Sequence, residues 1–437
     1  MNENLLKIFA RYVSLSMLAM ISVALLIFVD TLFISRALGA NGLAALNFAI
    51  PVYSVVNGFG HMLGTGGGAR YSLLKAAGQE REAQQVFSTT LVLAAIFSLI
   101  SVAAGFVIPE AAAALLGAEG PLLSMTAAYI RPVLFLGPVL IFSNGLGALL
   151  RNDGHPKTAM AGTVILSGVN ITLDYLFLFV FGWGMAGAAL ATMLGSLFHL
   201  IYLLQFWLRK KSNLSWRMPT GDFGRVKRIF LTGAPTLVGE LSSAIILTAF
   251  NLTILGLVGH QGVAAFGIIS NLAFVTIAMF NGLGQGMQPL ASTYFGKGDQ
   301  KSLGTIRSYS LKSVGILALA VYGIAFFFTD GLIAIFNGEG DLYLAEMAHR
   351  GIQLYFIGFL FVGFNIVSII FLSVTSAPRV AFILSLLRGG IVILPVVLIL
   401  GRLWGIDGVW ASYPVAEGLI FLLGGAALVR YGKVSKI

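Results

Sequence analysis

The chain has 437 residues, 58% of them hydrophobic and only 10% charged, with a formal net charge of +10. A soluble domain carries about 25% charged residues, so the composition excludes a soluble globular class and implies a polytopic membrane protein. Cysteine is absent, which removes disulfides, thiol chemistry, zinc–thiolate sites and iron–sulfur clusters.

Apolar stretches of ~20 residues, the length that crosses a bilayer, recur about twelve times along the chain. The first, Leu15 to Ile34, is too long for a signal-peptide core and lacks a small-residue cleavage site, so it remains as the first span. It carries Asp30, about 9 Å inside Arg36 at the helical rise per residue. The second span holds His61 near its middle, where an interhelical hydrogen bond is the expected role. Its inner end reads G-T-G-G-G at 64–68. That stretch lacks the Lys-Ser/Thr of a phosphate-binding loop, and small residues permitting close helix contact explain it.

The fifth span contains Val169 to Phe179, an apolar helix with one carboxylate, Asp174. Asn170 precedes it by one turn on the same face. An ionisable side chain inside a membrane is costly and points to function. Asp174 lies about 12 Å inside Gly182, and Thr192 of the sixth span lies about 12 Å inside Gly184. Asp30, Asp174 and Thr192 therefore share one level in the outer half, with Asn170 a turn deeper. Carboxylate, amide and hydroxyl oxygens are hard ligands, suited to a proton or an alkali cation.

A basic stretch, Arg209 to Arg228, then divides the chain. It contains Pro219 and Gly221 and predicts a first lobe at 1–208, a cytoplasmic linker at 209–228 and a second lobe at 229–437. An internal repeat agrees with the division. G-A-N-G-L-A-A at 39–45 returns as G-H-Q-G-V-A-A at 259–265, and Gly64, Gly66 and Gly78 return as Gly284, Gly286 and Gly298. W-G-M-A-G at 183–187 returns as W-G-I-D-G at 404–408. The shift spans six helices, an even number, so the copies enter from the same side. The predicted class is an all-α integral membrane protein of two six-helix bundles, related by a pseudo-two-fold axis along the membrane normal, with a cleft between them.

The second half does not copy the oxygen cluster: Asp30, Asp174 and Thr192 correspond to Phe250, Pro395 and Tyr413. Its own intramembrane acids are Glu240 and Glu417. Glu240, by its place in the chain, belongs to the second bundle. It is either a second cation or substrate site or a partner for Arg388, the deep base of the eleventh span. The 12 Met and 33 Phe residues include side chains able to re-pack around varied apolar ligands in a cleft.

All but Arg36, Arg131, Arg350 and Arg402 of the 27 basic residues fall on the side of the N-terminus. Positive charge gathers in the cytoplasm, so both termini are predicted cytoplasmic. The other side carries Glu110, Glu119, Asp330, Glu339, Asp341 and Glu346. The positive balance thus reads as topology, with the lipid bilayer as partner and no nucleic acid. No P-loop and no H-E-x-x-H occur, and the five His residues are scattered, so neither ATP hydrolysis by that route nor an enzyme is indicated.

With these residues placed, the chain resembles a multidrug and toxic compound extrusion (MATE) transporter of prokaryotic type. The resemblance rests on the two six-span halves, the paired G-x-x-G-L/V-A-A segments and the Gly-rich ends of spans two and eight. Those ends are followed by Ala77-Gly78-Gln79 and Lys297-Gly298-Asp299. The first-span Asp and the N-x-x-x-D of the fifth span are its most specific features. It implies Asp30, Asn170, Asp174 and Thr192 as cation ligands, and Tyr129 and Asn144 of the fourth span as cavity lining. Glu240 matches an acid that some branches carry in the seventh span, whereas the tenth span offers Asn365 where those branches have Asp. Arg388, Glu417 and His61 are left as secondary charged sites.

The implied activity is secondary antiport in the cell inner membrane. Organic, cationic or amphiphilic small molecules would leave against H+ or Na+, by alternating access, in a monomer with no cofactor beyond the coupling ion. The alternative is a flippase for lipid-linked precursors of a related fold, which calls for a strongly cationic cavity.

Overall fold

Ten helices among the described residues are long and apolar enough to cross a membrane, and a bent pair, Pro121–Phe135 with Gly137–Asn152, forms a further crossing with a 53° break. The computed structural model describes residues 2–219, 221–336 and 342–431. Of the residues that orient the sequence, Glu339, Asp341, Lys433 and Lys436 lie outside that set. In chain order the first six crossings are Asn4–Gly39, Asn41–Ala76, Glu80–Val107, the bent fourth, Pro156–Val180 and Gly184–Leu208. Phe223–Gly259, Gln261–Gly296, Gln300–Phe327 and Leu342–Val374 follow as the seventh to tenth. The last helix, Pro378–Tyr431, has 54 residues. At 1.5 Å per residue it is about 80 Å long, far beyond a ~30 Å hydrocarbon core, so it makes two crossings. Its break is Gly405, at φ 59° and ψ −139°.

The repeat seen in the sequence is a repeat of backbone breaks. Gly39 and Gly259 sit at φ 65° and 73°, with ψ near −160° in both. Only glycine takes that conformation without strain, so each position turns one long helix into two crossings. Gly184 and Gly405 (φ 58° and 59°) repeat the device, as do Gly78 and Gly298 (φ 79° and 67°).

The chain forms two compact units. One comprises Leu18–Leu241 with Gln288–Asp299, the other Met1–Met17, Ser242–Met287 and Gln300–Ile437. Within the first unit, a Cβ on Gly66 would lie 2.1 Å from the Ile229 carbonyl oxygen, so the second and seventh spans touch backbone to backbone. The glycines at 64–68 are a helix contact, as the sequence suggests. Within the other unit, Gly286 meets Val13 in the same way. Apolar side chains such as Leu99 and Ile316 stay 71% and 72% exposed at mid-helix. In a membrane such side chains face lipid.

The basic stretch after the sixth span is strapped down. Buried Asp153 accepts from Tyr71 Oη (2.8 Å) and Lys75 Nζ (2.7 Å) through Oδ1, and from the Asn213 backbone N–H (2.7 Å) through Oδ2. Gln84 donates to the Asn213 carbonyl (2.8 Å) and accepts from the Ser215 N–H (2.8 Å). Ser88 accepts from the Arg217 N–H at 2.8 Å. Removing one partner of a buried ion pair costs on the order of 3–5 kcal/mol. Asp153→Asn is therefore expected to lower the midpoint of thermal unfolding in detergent by several degrees. An unchanged midpoint would show the strap to be energetically idle.

In one unit Arg131 pairs with Glu110, and in the other Arg350 pairs with Asp407 at 2.6 Å. Exposed pairs of this kind contribute little, about 0–1 kcal/mol.

Candidate functional site

The fifth span carries the site because of how it ends. Asp174 lies just before a π-helical turn, Leu176–Val180, closed by the Phe181 N–H on the Leu176 carbonyl at 2.9 Å. The wide turn breaks the regular helical register beside the carboxylate. Phe33 of the first span packs edge-on against Phe179 (5.5 Å) and Tyr175 (6.3 Å), holding the stretch around Asp30 against the stretch around Asp174. Gly195 lets the sixth span close on the fifth: a Cβ there would stand 3.0 Å from Asn170 Cβ.

The result is a buried oxygen cluster. Asp30, Tyr129, Asn170, Asp174 and Thr192 are all buried. With the Asn170 amide nitrogen facing the carboxylate, Nδ2 donates to Asp174 Oδ2 at 2.9 Å. Asn170 Oδ1 then accepts from the Thr192 backbone N–H at 2.9 Å and its hydroxyl at 3.1 Å. The Tyr129 side chain lies beside Thr192, within electrostatic reach of both aspartates. The Asp30 and Asp174 carboxyls lie within hydrogen-bonding reach of one another. One oxygen of each, Asp30 Oδ1 and Asp174 Oδ1, is buried with no hydrogen-bond partner among the described residues. Two carboxylates in contact repel unless a proton or a cation stands between them, so the cluster can hold either.

A second chain of polar groups runs through the same unit. Asn144 Nδ2 donates to Asn57 Oδ1 at 2.8 Å, and Asn57 Nδ2 donates to Glu240 Oε2 at 3.3 Å. Two expectations are corrected here. Glu240 does not sit with the second half: the inner part of the seventh span, tied to the second through Gly66, belongs to the unit of Asp30 and Asp174. Nor is Arg388 the partner of Glu240. Arg388 Nε donates to both carboxylate oxygens of Glu417, at 2.9 and 3.0 Å, because the last two crossings are neighbours in the chain. Asn365 Nδ2 adds a bond to Glu417 Oε2 at 2.7 Å.

Tyr413, the repeat counterpart of Thr192, lies beside Arg388 and Tyr355, and the two tyrosine rings stack at 4.1 Å. His61 makes no hydrogen bond among the described residues, and its closest electrostatic partners are Glu240 and Arg151.

Sequence reasoning missed Asn57 and Tyr53, the latter within electrostatic reach of both Glu240 and Asp30. The signal was present. Tyr53, Asn57 and His61 recur every four residues, one polar stripe on an otherwise apolar second span.

The MatE family profile matches residues 16–176 and 235–399, covering most of both halves. The multidrug export protein MepA of Staphylococcus saprophyticus is 28% identical over 400 residues, which cover 89% of this chain and 85% of its own. Two solved structures share the fold at 21% identity. A MATE in complex with MaL6 has a TM-score of 0.90, covering 97% of this chain and 96% of its own. An outward-facing multidrug resistance MATE family transporter of the MOP superfamily has 0.89, covering 98% and 97%. Twelve crossings in two halves, the break at each repeated glycine and the profile over both halves agree: the chain belongs to the MatE family of membrane transporters.

Proposed function

We propose that the protein is a multidrug exporter that moves organic cations or amphiphiles out of the cell against an inward flow of protons or sodium. The observation that carries the reading is the buried Asp30–Asp174 pair, braced by Asn170 and Thr192, flanked by Tyr129, and left with two carboxylate oxygens that have no hydrogen-bond partner among the described residues. An apolar bundle keeps such a pair at a cost, which a coupling ion recovers when it binds. Coupling follows if ion and drug each bind the two access states with different affinity; the sites need not overlap. The two lobes would rock between those states, in a monomer of the inner membrane with both termini cytoplasmic.

Proteoliposomes tested separately under an imposed pH gradient and an imposed sodium gradient decide the matter. Uptake of a fluorescent organic cation under one gradient and not the other would identify the ion. Uptake under neither would overturn the antiport reading. A flippase of lipid-linked precursors finds less support, because the deep base Arg388 is already neutralised by Glu417.

Glu240 we assign to the cargo. It is half-buried, in the inner part of the seventh span, and among the described residues its hydrogen-bond partner is the neutral amide of Asn57. Glu240→Gln is expected to weaken export of cationic compounds by about tenfold, within the range of site couplings, and of neutral ones far less. Equal loss for both classes would place Glu240 in the ion-coupling machinery instead.

A further inference from the structure

A cavity of about 310 Å³ lies where the inner ends of the second and third spans meet the start of the seventh. Three guanidiniums, Arg70, Arg225 and Arg228, line it, against two carboxylates, Glu82 and Asp222. The acids neutralise it only in part. Asp222 Oδ1 accepts the Gly224 N–H at 2.8 Å as a helix cap, and its Oδ2 stands 3.4 Å from Arg228 Nη2. Glu82 is exposed and enters no ion pair among the described residues.

Arg225 is buried and donates to Gln85 Oε1 at 2.8 Å. Arg70 is half-buried, within electrostatic reach of Arg228, and no hydrogen bond or ion pair meets it among the described residues. A guanidinium withdrawn from water beside a second one is costly unless an anion joins them. Planar forks around one cavity suit the oxygens of a phosphate group.

The chain on either side says where that phosphate comes from. Trp216, Met218 and Phe223 are 54%, 85% and 78% exposed, and Phe223 adjoins Asp222 at the cavity wall. Large amphipathic and apolar side chains left in the open at a helix start belong at the bilayer interface. The basic residues place this face in the cytoplasm, where the leaflet carries anionic lipids. We infer that the cavity binds the phosphate of an anionic phospholipid headgroup, with Arg70 and Arg228 as its contacts and Trp216, Met218 and Phe223 immersed beside it. The lipid then ties the start of the seventh span to spans two and three, independently of what the protein transports.

The test uses the full chain in neutral detergent, titrated with phosphatidylglycerol, phosphatidylcholine or inorganic phosphate. Unfolding temperature and lipid retained in native mass spectra are read together. Phosphatidylglycerol should raise the unfolding temperature where phosphatidylcholine does not. Arg70→Gln should weaken phosphatidylglycerol binding about fivefold, the worth of one basic residue at an anionic surface. Glu82→Gln, at an exposed position that tolerates change, should tighten it by a similar factor. Opposite signs from one wall cannot come from general damage, and Glu82→Gln alone suffices if Arg70→Gln fails to fold. Identical responses to the two lipids, or phosphatidylglycerol binding unchanged by the substitutions, overturn the site. A response to inorganic phosphate that is lost in Arg70→Gln, with none to phosphatidylglycerol, overturns the lipid as its source.

Discussion

Asp174→Asn is expected to reduce gradient-driven export on the order of a hundredfold, the upper range of coupling between two sites, while expression stays normal. The amide keeps the shape of the side chain and a hydrogen-bonding group for Asn170, whose nitrogen meets Asp174 Oδ2 at 2.9 Å. What it removes is the second negative charge opposite Asp30, and with it the reason for a proton or cation to bind. Asp30→Asn should act alike, and the double substitution should be little worse than either single one, as for groups that work as a unit. Transport assays in proteoliposomes give all three rates. Wild-type export by either single variant would refute a shared site. Losses that multiply in the double variant would assign the two carboxyls to separate steps.

Glu417→Leu is expected to cost about 3–5 kcal/mol of stability, because it strands the half-buried Arg388 guanidinium deep in the span. Glu417 holds Arg388 through both oxygens and is itself held by Asn365. Arg388→Met combined with Glu417→Leu should recover most of that loss, since an apolar pair of similar volume often matches a buried ion pair. Thermal unfolding of the two variants in detergent measures the difference. If the double variant folds well yet no longer exports, the pair has a part in transport beyond holding the helices together.

The crossings and the repeat are legible in the sequence because hydropathy and glycine are local signals. Gly39 and Gly259 announce their breaks without reference to anything distant. The level shared by Asp30, Asp174 and Thr192 is likewise legible, since depth along a helix is only residue count times rise. Partnership is another matter. Glu240 and Arg388 look eligible for each other by depth, but the choice between Asn57 and Arg388 depends on which helix faces touch. That is decided by backbone contacts such as Gly66 on Ile229, which hydropathy does not report. The strap at 209–219 hides for the same reason. Its composition reads as a loose basic linker, while its fixation depends on Asp153, Gln84 and Ser88, distant in the chain.

The unit that holds the paired aspartates is completed by residues 288–299, from the end of the eighth span. There Ser292 meets Ser72 at 2.6 Å, and Gln288 donates to the Thr65 carbonyl at 3.0 Å. On the ribosome these residues emerge after all other parts of that unit. Translation runs at about 5–20 residues per second, so the inner end of the second span waits about 10–40 seconds for its last neighbours. The nascent first half is thus inserted before it is finished. A gene cut between Thr192 and Gln288 encodes every ligand of the proposed ion site without the segment that closes over Ser72, so separately made halves must find each other to complete that unit.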